Sequence, residues 1–143
     1  MNKPKRKSRS TKKESATPLF AAGKIRALRL ILDALVEVNL GFLKCYRKLE
    51  GKSYPSLYDV VPKYVRRAGD GVWQDIPFTA KVGSGDVCDL VCWRVAELRY
   101  RGFLAHPVIK MAQTKNGGAF IATVQVHIGG LVEDPTAILG GSA

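Results

Sequence analysis

The stretch from Ala21 to Leu49 constrains the fold more than any other part of this chain. Ile25, Leu28, Leu32, Leu35, Asn39, Phe42 and Tyr46 recur at steps of three and four, the spacing that gathers side chains onto one stripe of an α-helix. Lys24, Arg26, Arg29, Asp33 and Glu37 occupy much of the remaining surface. The spacing predicts a single long amphipathic helix, with Gly41 as the point where it is loosened. A stripe this wide docks on a core or on another subunit. Asn39, inside the stripe, is expected to be a hydrogen-bonded core residue.

A second helix is expected from Ser84 or Asp86 to about Arg101. Either residue can cap it, and Asp89 in the first turn suits the helix dipole. Val87, Leu90, Val91, Val95 and Leu98 supply its buried face. Arg94, Glu97, Arg99 and Arg101 are candidates for solvent, and Gly102 stands where a helix ends. Trp93 is read as a packing residue.

The C-terminal part reads as β-structure. Ala105 to Met111 forms one strand, which Pro107 restricts to an edge or to its first residues. Asn116-Gly117 marks a hairpin turn. A strand from Ala119 to Ile128 follows, then a tight turn at Gly129-Gly130, then Leu131 to Asp134. A helix followed by a three-stranded antiparallel meander makes an α+β domain. Between the helices, residues 50–85 are punctuated by Gly51, Pro55, Pro62, Gly69, Gly71, Pro77, Gly83 and Gly85, which prevents any long element. Trp73, Ile76 and Phe78 are expected to plug this loop onto the body.

Charge divides the chain. Residues 1–14 carry seven basic side chains and one acidic one, leaving 16 against 11 for the rest of a chain whose net charge is +11. Residues 1–17 hold no periodic apolar residues and read as a disordered basic arm, with residues 18–143 as a single domain. Lys3, Lys5, Arg6, Lys7, Arg9, Lys12 and Lys13 can neutralise phosphates of nucleic acid or meet an acidic partner. Neither a membrane helix nor a signal peptide is expected. Three cysteines, Cys45, Cys88 and Cys92, are too few for a disulfide scaffold, and a reducing compartment, or a particle assembled in one, is expected.

Cys88 and Cys92 share a helical face, but with His106 and His127 they lack zinc-ligand spacing, so no metal is expected. Cys88, His127 and Asp134 supply, in chain order, the residue types of a cysteine-histidine-acid triad. There a helix dipole lowers the thiol, imidazole takes its proton and a carboxylate orients the imidazole.

Three runs carry a family resemblance: Trp73-Gln74-Asp75-Ile76-Pro77, Gly85-Asp86-Val87-Cys88-Asp89-Leu90, and Cys92-Trp93-Arg94-Val95-Ala96-Glu97-Leu98-Arg99. They resemble small transglutaminase-like cysteine hydrolases encoded by tailed bacteriophages. Glu133-Asp134-Pro135-Thr136 with Ile138-Leu139-Gly140 is similar to that family's C-terminal signature. Val38-Asn39-Leu40, Phe42-Leu43 and Leu57-Tyr58 fit its N-terminal half. The resemblance spans roughly residues 18–141. It implies an α+β fold with a papain/transglutaminase-like core: a long N-terminal helix, and a central helix packed on a three-stranded antiparallel sheet.

The family's nucleophile position falls on Val87, one residue before Cys88. Its histidine position, eleven residues before Glu133, falls on Ala122. Only Asp134 matches the third catalytic member. One step along a helix turns a side chain by about 100°. Five steps along a strand put His127 on the opposite face from the Ala122 position, about 17 Å further on. Without a nucleophile, Gln74 has no oxyanion to stabilise and is read as a loop residue bonding nearby backbone.

The resemblance therefore implies a catalytically silent member with no cofactor, kept as a structural or binding component of a tailed-phage virion. The partners expected are a major capsid or connector protein and packaged DNA, in multiple copies of a symmetric assembly, with host cytoplasm as the place before assembly. The alternative is an active cysteine hydrolase or acyl transferase using Cys88, His127 and Asp134.

Overall fold

A computed structural model describes residues 18–66, 73–113 and 120–140. The basic arm with Lys3, Lys5, Arg6, Lys7, Arg9, Lys12 and Lys13, and the Asn116-Gly117 turn, lie outside the described residues. Helix α1 runs over Pro18–Glu50 and α2 over Leu57–Val60; strand β1 covers Lys63–Tyr64. Helix α3 spans Ile76–Val82, strand β2 Ser84–Gly85 and helix α4 Val87–Tyr100. Strands β3 (Ala105–Gln113), β4 (Phe120–Ile128) and β5 (Leu131–Glu133) precede a last short helix, α5 (Pro135–Ile138).

The architecture is mixed α and β, with a long N-terminal helix and a three-stranded antiparallel sheet in the order β3-β4-β5. Pro107 sits on edge strand β3, where its missing N–H costs no ladder bond on the outer side. Helix α4 lies between α1 and the sheet. Leu32, Leu35, Val36 and Leu43 of α1 meet Leu90, Val91, Val95 and Leu98 of α4, and Val124 and Val126 close the core from β4. Alternation along β4 decides which residues face inward: with Val124 and Val126 buried, Gln125 and His127 belong to the other face.

Local chemistry fixes the ends of α4. Asp86 is the N-cap and forms a capping box with Asp89, whose carboxylate returns to the Asp86 amide. At the other end Phe103 donates to Leu98 O at 2.9 Å and Gly102 to Arg99 O at 3.0 Å. This is the paired closure that a left-handed residue permits, and Gly102 has φ +91°.

Several expectations are corrected. Helix α1 continues through Gly41 without a break. The 50–85 segment, free of long elements as expected, still contains α2, α3 and a parallel pair, β1 with β2. Of the three loop plugs only Ile76 is buried; Trp73 is 37% and Phe78 51% exposed. They are displaced because Ile76 already occupies the slot beside Asn39, whose Oδ1 accepts the Ile76 amide at 2.9 Å. Glu97 and Arg94, expected in solvent, are turned inward by the network described next.

Candidate functional site

Two polar clusters surround α4, one at its N-terminus and one along its middle. At the N-terminus, Asp89 is 1% exposed. Its Oδ1 accepts the Gln74 amide at 2.9 Å and its Oδ2 accepts the Asp86 amide at 3.0 Å. Asp86 Oδ1 accepts the Asp89 amide at 3.0 Å. Gly85 permits this crowding: a Cβ there would stand 3.1 Å from both Asp89 Cβ and Thr79 Cγ2. Gln74 is buried, and its side-chain oxygen accepts from the Thr79 hydroxyl at 3.5 Å. The positive end of the helix dipole is thus occupied by two carboxylates of the chain itself.

This decides the chemistry open to Cys88. A thiol in the first helical turn is ordinarily helped toward thiolate by the dipole. Here burial pushes the thiol up to about 12, and the charges of Asp86 and Asp89 push in the same direction. Cys92, one turn on, is fully buried against Leu32, and burial raises it strongly as well. Its Sγ lies 3.6 Å from Leu32 O. Cys45 is exposed on α1.

The sequence-derived triad is not assembled. His127 pairs across the strands with His106, on the sheet face away from α4, and its Nε2 is buried with no hydrogen-bond partner among the described residues. Asp134 caps α5, its Oδ1 accepting the amides of Thr136 at 3.1 Å and Ala137 at 3.3 Å. Ala122, which the sequence resemblance aligns with a histidine, lies in β4 opposite Met111. Val87, which the sequence resemblance aligns with a nucleophile, packs half-buried against the core. Among the described residues, no group of three His, Cys, Asp or Glu side chains converges to hold a metal ion. No described helix is long and apolar enough to cross a membrane.

The second cluster was legible only in part. Glu97 accepts from the Leu57 amide, from Trp93 Nε1 at 2.9 Å, from Ser56 Oγ at 3.3 Å and from Arg94 at 3.0 Å. Arg94 also reaches Glu133 at 3.0 Å and lies 4.8 Å above the Tyr58 ring. The Tyr58 hydroxyl donates to Glu133. Burial raises the Tyr58 hydroxyl above its ordinary value, and the bond to Glu133 adds to the rise. For Arg94, burial opposes the charge but the two glutamates outweigh it, and the guanidinium is raised. The i, i+3 and i, i+4 spacing of Arg94, Trp93 and Glu97 hints at this cluster in the sequence. The contributions of Tyr58 and Glu133 arrive from distant segments and carry no local signal.

No protein-family model, curated protein or solved structure matches this chain.

The function must then be read from geometry. Both clusters use their polar atoms to tie segments together: the first binds the 73–76 loop to α4, the second binds α2, α4 and β5. Thiol labelling checks the first assignment. At pH 8 a thiol titrating near 12 holds about one thiolate in ten thousand. Alkylation of Cys88 by iodoacetamide should be on the order of a thousandfold slower than that of an ordinary exposed thiol, with Cys45 modified first. Peptide mass spectrometry over a time course reads the order directly; rapid Cys88 modification in the folded protein would contradict it.

Proposed function

We propose that this chain is a non-catalytic structural or binding component of a tailed-phage virion, built on a degenerate transglutaminase-like core. The observation that carries the reading is the N-terminus of α4. A cysteine hydrolase of this type needs a thiolate there with an imidazole beside it. Instead Asp86 and Asp89 close the helix end, Cys88 is held protonated, and His127 is on the far side of the sheet. Val87 and Ala122 occupy the nucleophile and histidine positions that the resemblance assigns. The packing positions of the resembling motifs, Ile76, Leu90, Trp93 and Val95, are all fully buried.

On this reading the scaffold is retained for its surfaces. It contacts a major capsid or connector protein, and the basic arm from Lys3 to Lys13 reaches packaged DNA or an acidic patch on a virion protein. The chain accumulates in host cytoplasm and enters the particle in many copies. Quantitative mass spectrometry of gradient-purified particles tests this. Recovery of the chain at a fixed, multiple copy number per particle is expected, and its exclusion from intact particles would overturn the reading.

A further inference from the structure

The solvent side of α1 carries an apolar stripe beside the charges that an ordinary amphipathic helix turns to water. Ala27, Ile31, Ala34, Val38, Gly41 and Cys45 follow one another at alternating steps of four and three, and all six are exposed. This is the 3.5-residue spacing of a coiled-coil seam, and it runs opposite the stripe that α1 buries in its own core. Leu30 and Leu49 flank it at 71% and 81% exposure, and Val38 on the seam is 56% exposed. Among the described residues, nothing packs on this second stripe.

Gly41 supplies an independent observation. It sits deep within a 33-residue helix, where glycine costs about 1 kcal/mol relative to alanine. Its φ is not in the left-handed region, and a Cβ built there would meet nothing within 4 Å. Among the described residues, the chain's own packing does not require a glycine here, whereas a closely packed second helix would.

We propose that a second copy of the chain docks antiparallel along this seam, joining two α1 helices in a symmetric dimer. Charge selects the orientation and the register. When Val38 is placed over Gly41 of the second copy, Ala34 meets its Cys45 and Glu37 meets its Lys44, each contact made twice by the twofold axis. Leu49 then lies beside Leu28 of the second copy. Sliding one heptad along brings Glu37 onto Glu37, like charge on like charge. In a parallel pair Glu37 and Lys44 face Phe42 and Leu49, and both charges go unmatched. Glu37 already has Arg99 of its own chain at 3.3 Å, but its side chain stays 68% exposed and accessible to a second cation. The inference rests on α1 alone and is independent of the virion reading: a monomeric chain refutes it wherever the protein is found.

Light scattering on the full chain, in about 0.5 M salt so that the basic arm does not bridge copies, should give twice the chain mass. Gly41→Leu improves helix propensity and its Cβ meets nothing within 4 Å among the described residues, so the variant should keep its helical circular dichroism yet elute as a monomer. Ala34→Cys should form a disulfide-linked dimer under mild oxidation, with the new thiol joined to Cys45 of the second copy. A wild-type monomer under these conditions would overturn the proposal. So would a Gly41→Leu variant that still dimerises, or an Ala34→Cys variant that cross-links through Cys45 to Cys45 in preference to the new thiol with Cys45.

Discussion

Replacing Glu97 with alanine should cost about 3–5 kcal/mol of folding stability, the range for removing one partner of a buried ion pair. Two features make the loss large. Glu97 is 5% exposed, and the Leu57 amide and Trp93 indole N–H that it serves are buried and cannot turn to water. They are also of several kinds: the Leu57 amide, the Trp93 indole N–H, the Ser56 hydroxyl and the Arg94 guanidinium. Each orphaned buried donor costs about 1–3 kcal/mol. Arg94 keeps Glu133 and the Tyr58 ring, which limits the total. Against a typical domain stability of about 5–15 kcal/mol, the variant should unfold at a clearly lower urea concentration, with a midpoint shift of about 2 M. Glu97→Gln keeps an acceptor for the indole and the Leu57 amide but loses the charge opposite Arg94, and should fall between. A midpoint for Glu97→Ala within about 0.3 M of wild type would show that the cluster is not what fixes α2 against α4.

The fate of Glu97 also shows where sequence reading stops. The elements were legible because their signals are local. The three-and-four spacing of α1, the cap at Asp86, the terminating Gly102 and the alternation and turns of the meander each lie within a few residues of the feature they specify. Burial of an ionisable residue is a different kind of fact. On α4, Glu97 falls on what its neighbours make a polar face, and only the arrival of Ser56 and Leu57 from 40 residues away turns that face inward. Trp73 and Phe78 fail in the opposite sense: aromatic character favours burial, but Ile76, held by Asn39, takes the available volume. At the site, the sheet face on which His127 lies follows from strand register alone, and the observed register agrees. That Asp89 would turn back to take the Gln74 amide as well as complete the capping box was beyond the sequence, since it depends on how the 73–76 loop returns to α4.

The second large effect is expected at that residue. Asp89→Ala removes a carboxylate that is 1% exposed and accepts the amides of Gln74 and Asp86. Two buried or partly buried N–H groups then lose their acceptor, and the capping box is halved. At about 1–3 kcal/mol for an orphaned amide and about 1 kcal/mol for a weakened cap, the loss should be about 2–4 kcal/mol. Asp89→Asn should recover only part of it. An amide side chain presents one acceptor oxygen, whereas the two backbone donors approach different oxygens of Asp89, so one N–H must face an NH2 group. Hydrogen exchange separates this local event from general destabilisation: the Gln74 and Asp86 amides should lose protection well beyond the core amides of α4. The same variants bear on Cys88. With the Asp89 charge gone, one of the two carboxylates that hold the thiol protonated is removed, while burial, the larger cause, remains. Iodoacetamide modification of Cys88 in Asp89→Asn should therefore rise by only about a fewfold, far short of an activated nucleophile. Protected Gln74 and Asp86 amides in Asp89→Ala, or a Cys88 thiol that becomes fully reactive in Asp89→Asn, would each show that α4 begins as something other than a closed, carboxylate-capped helix end.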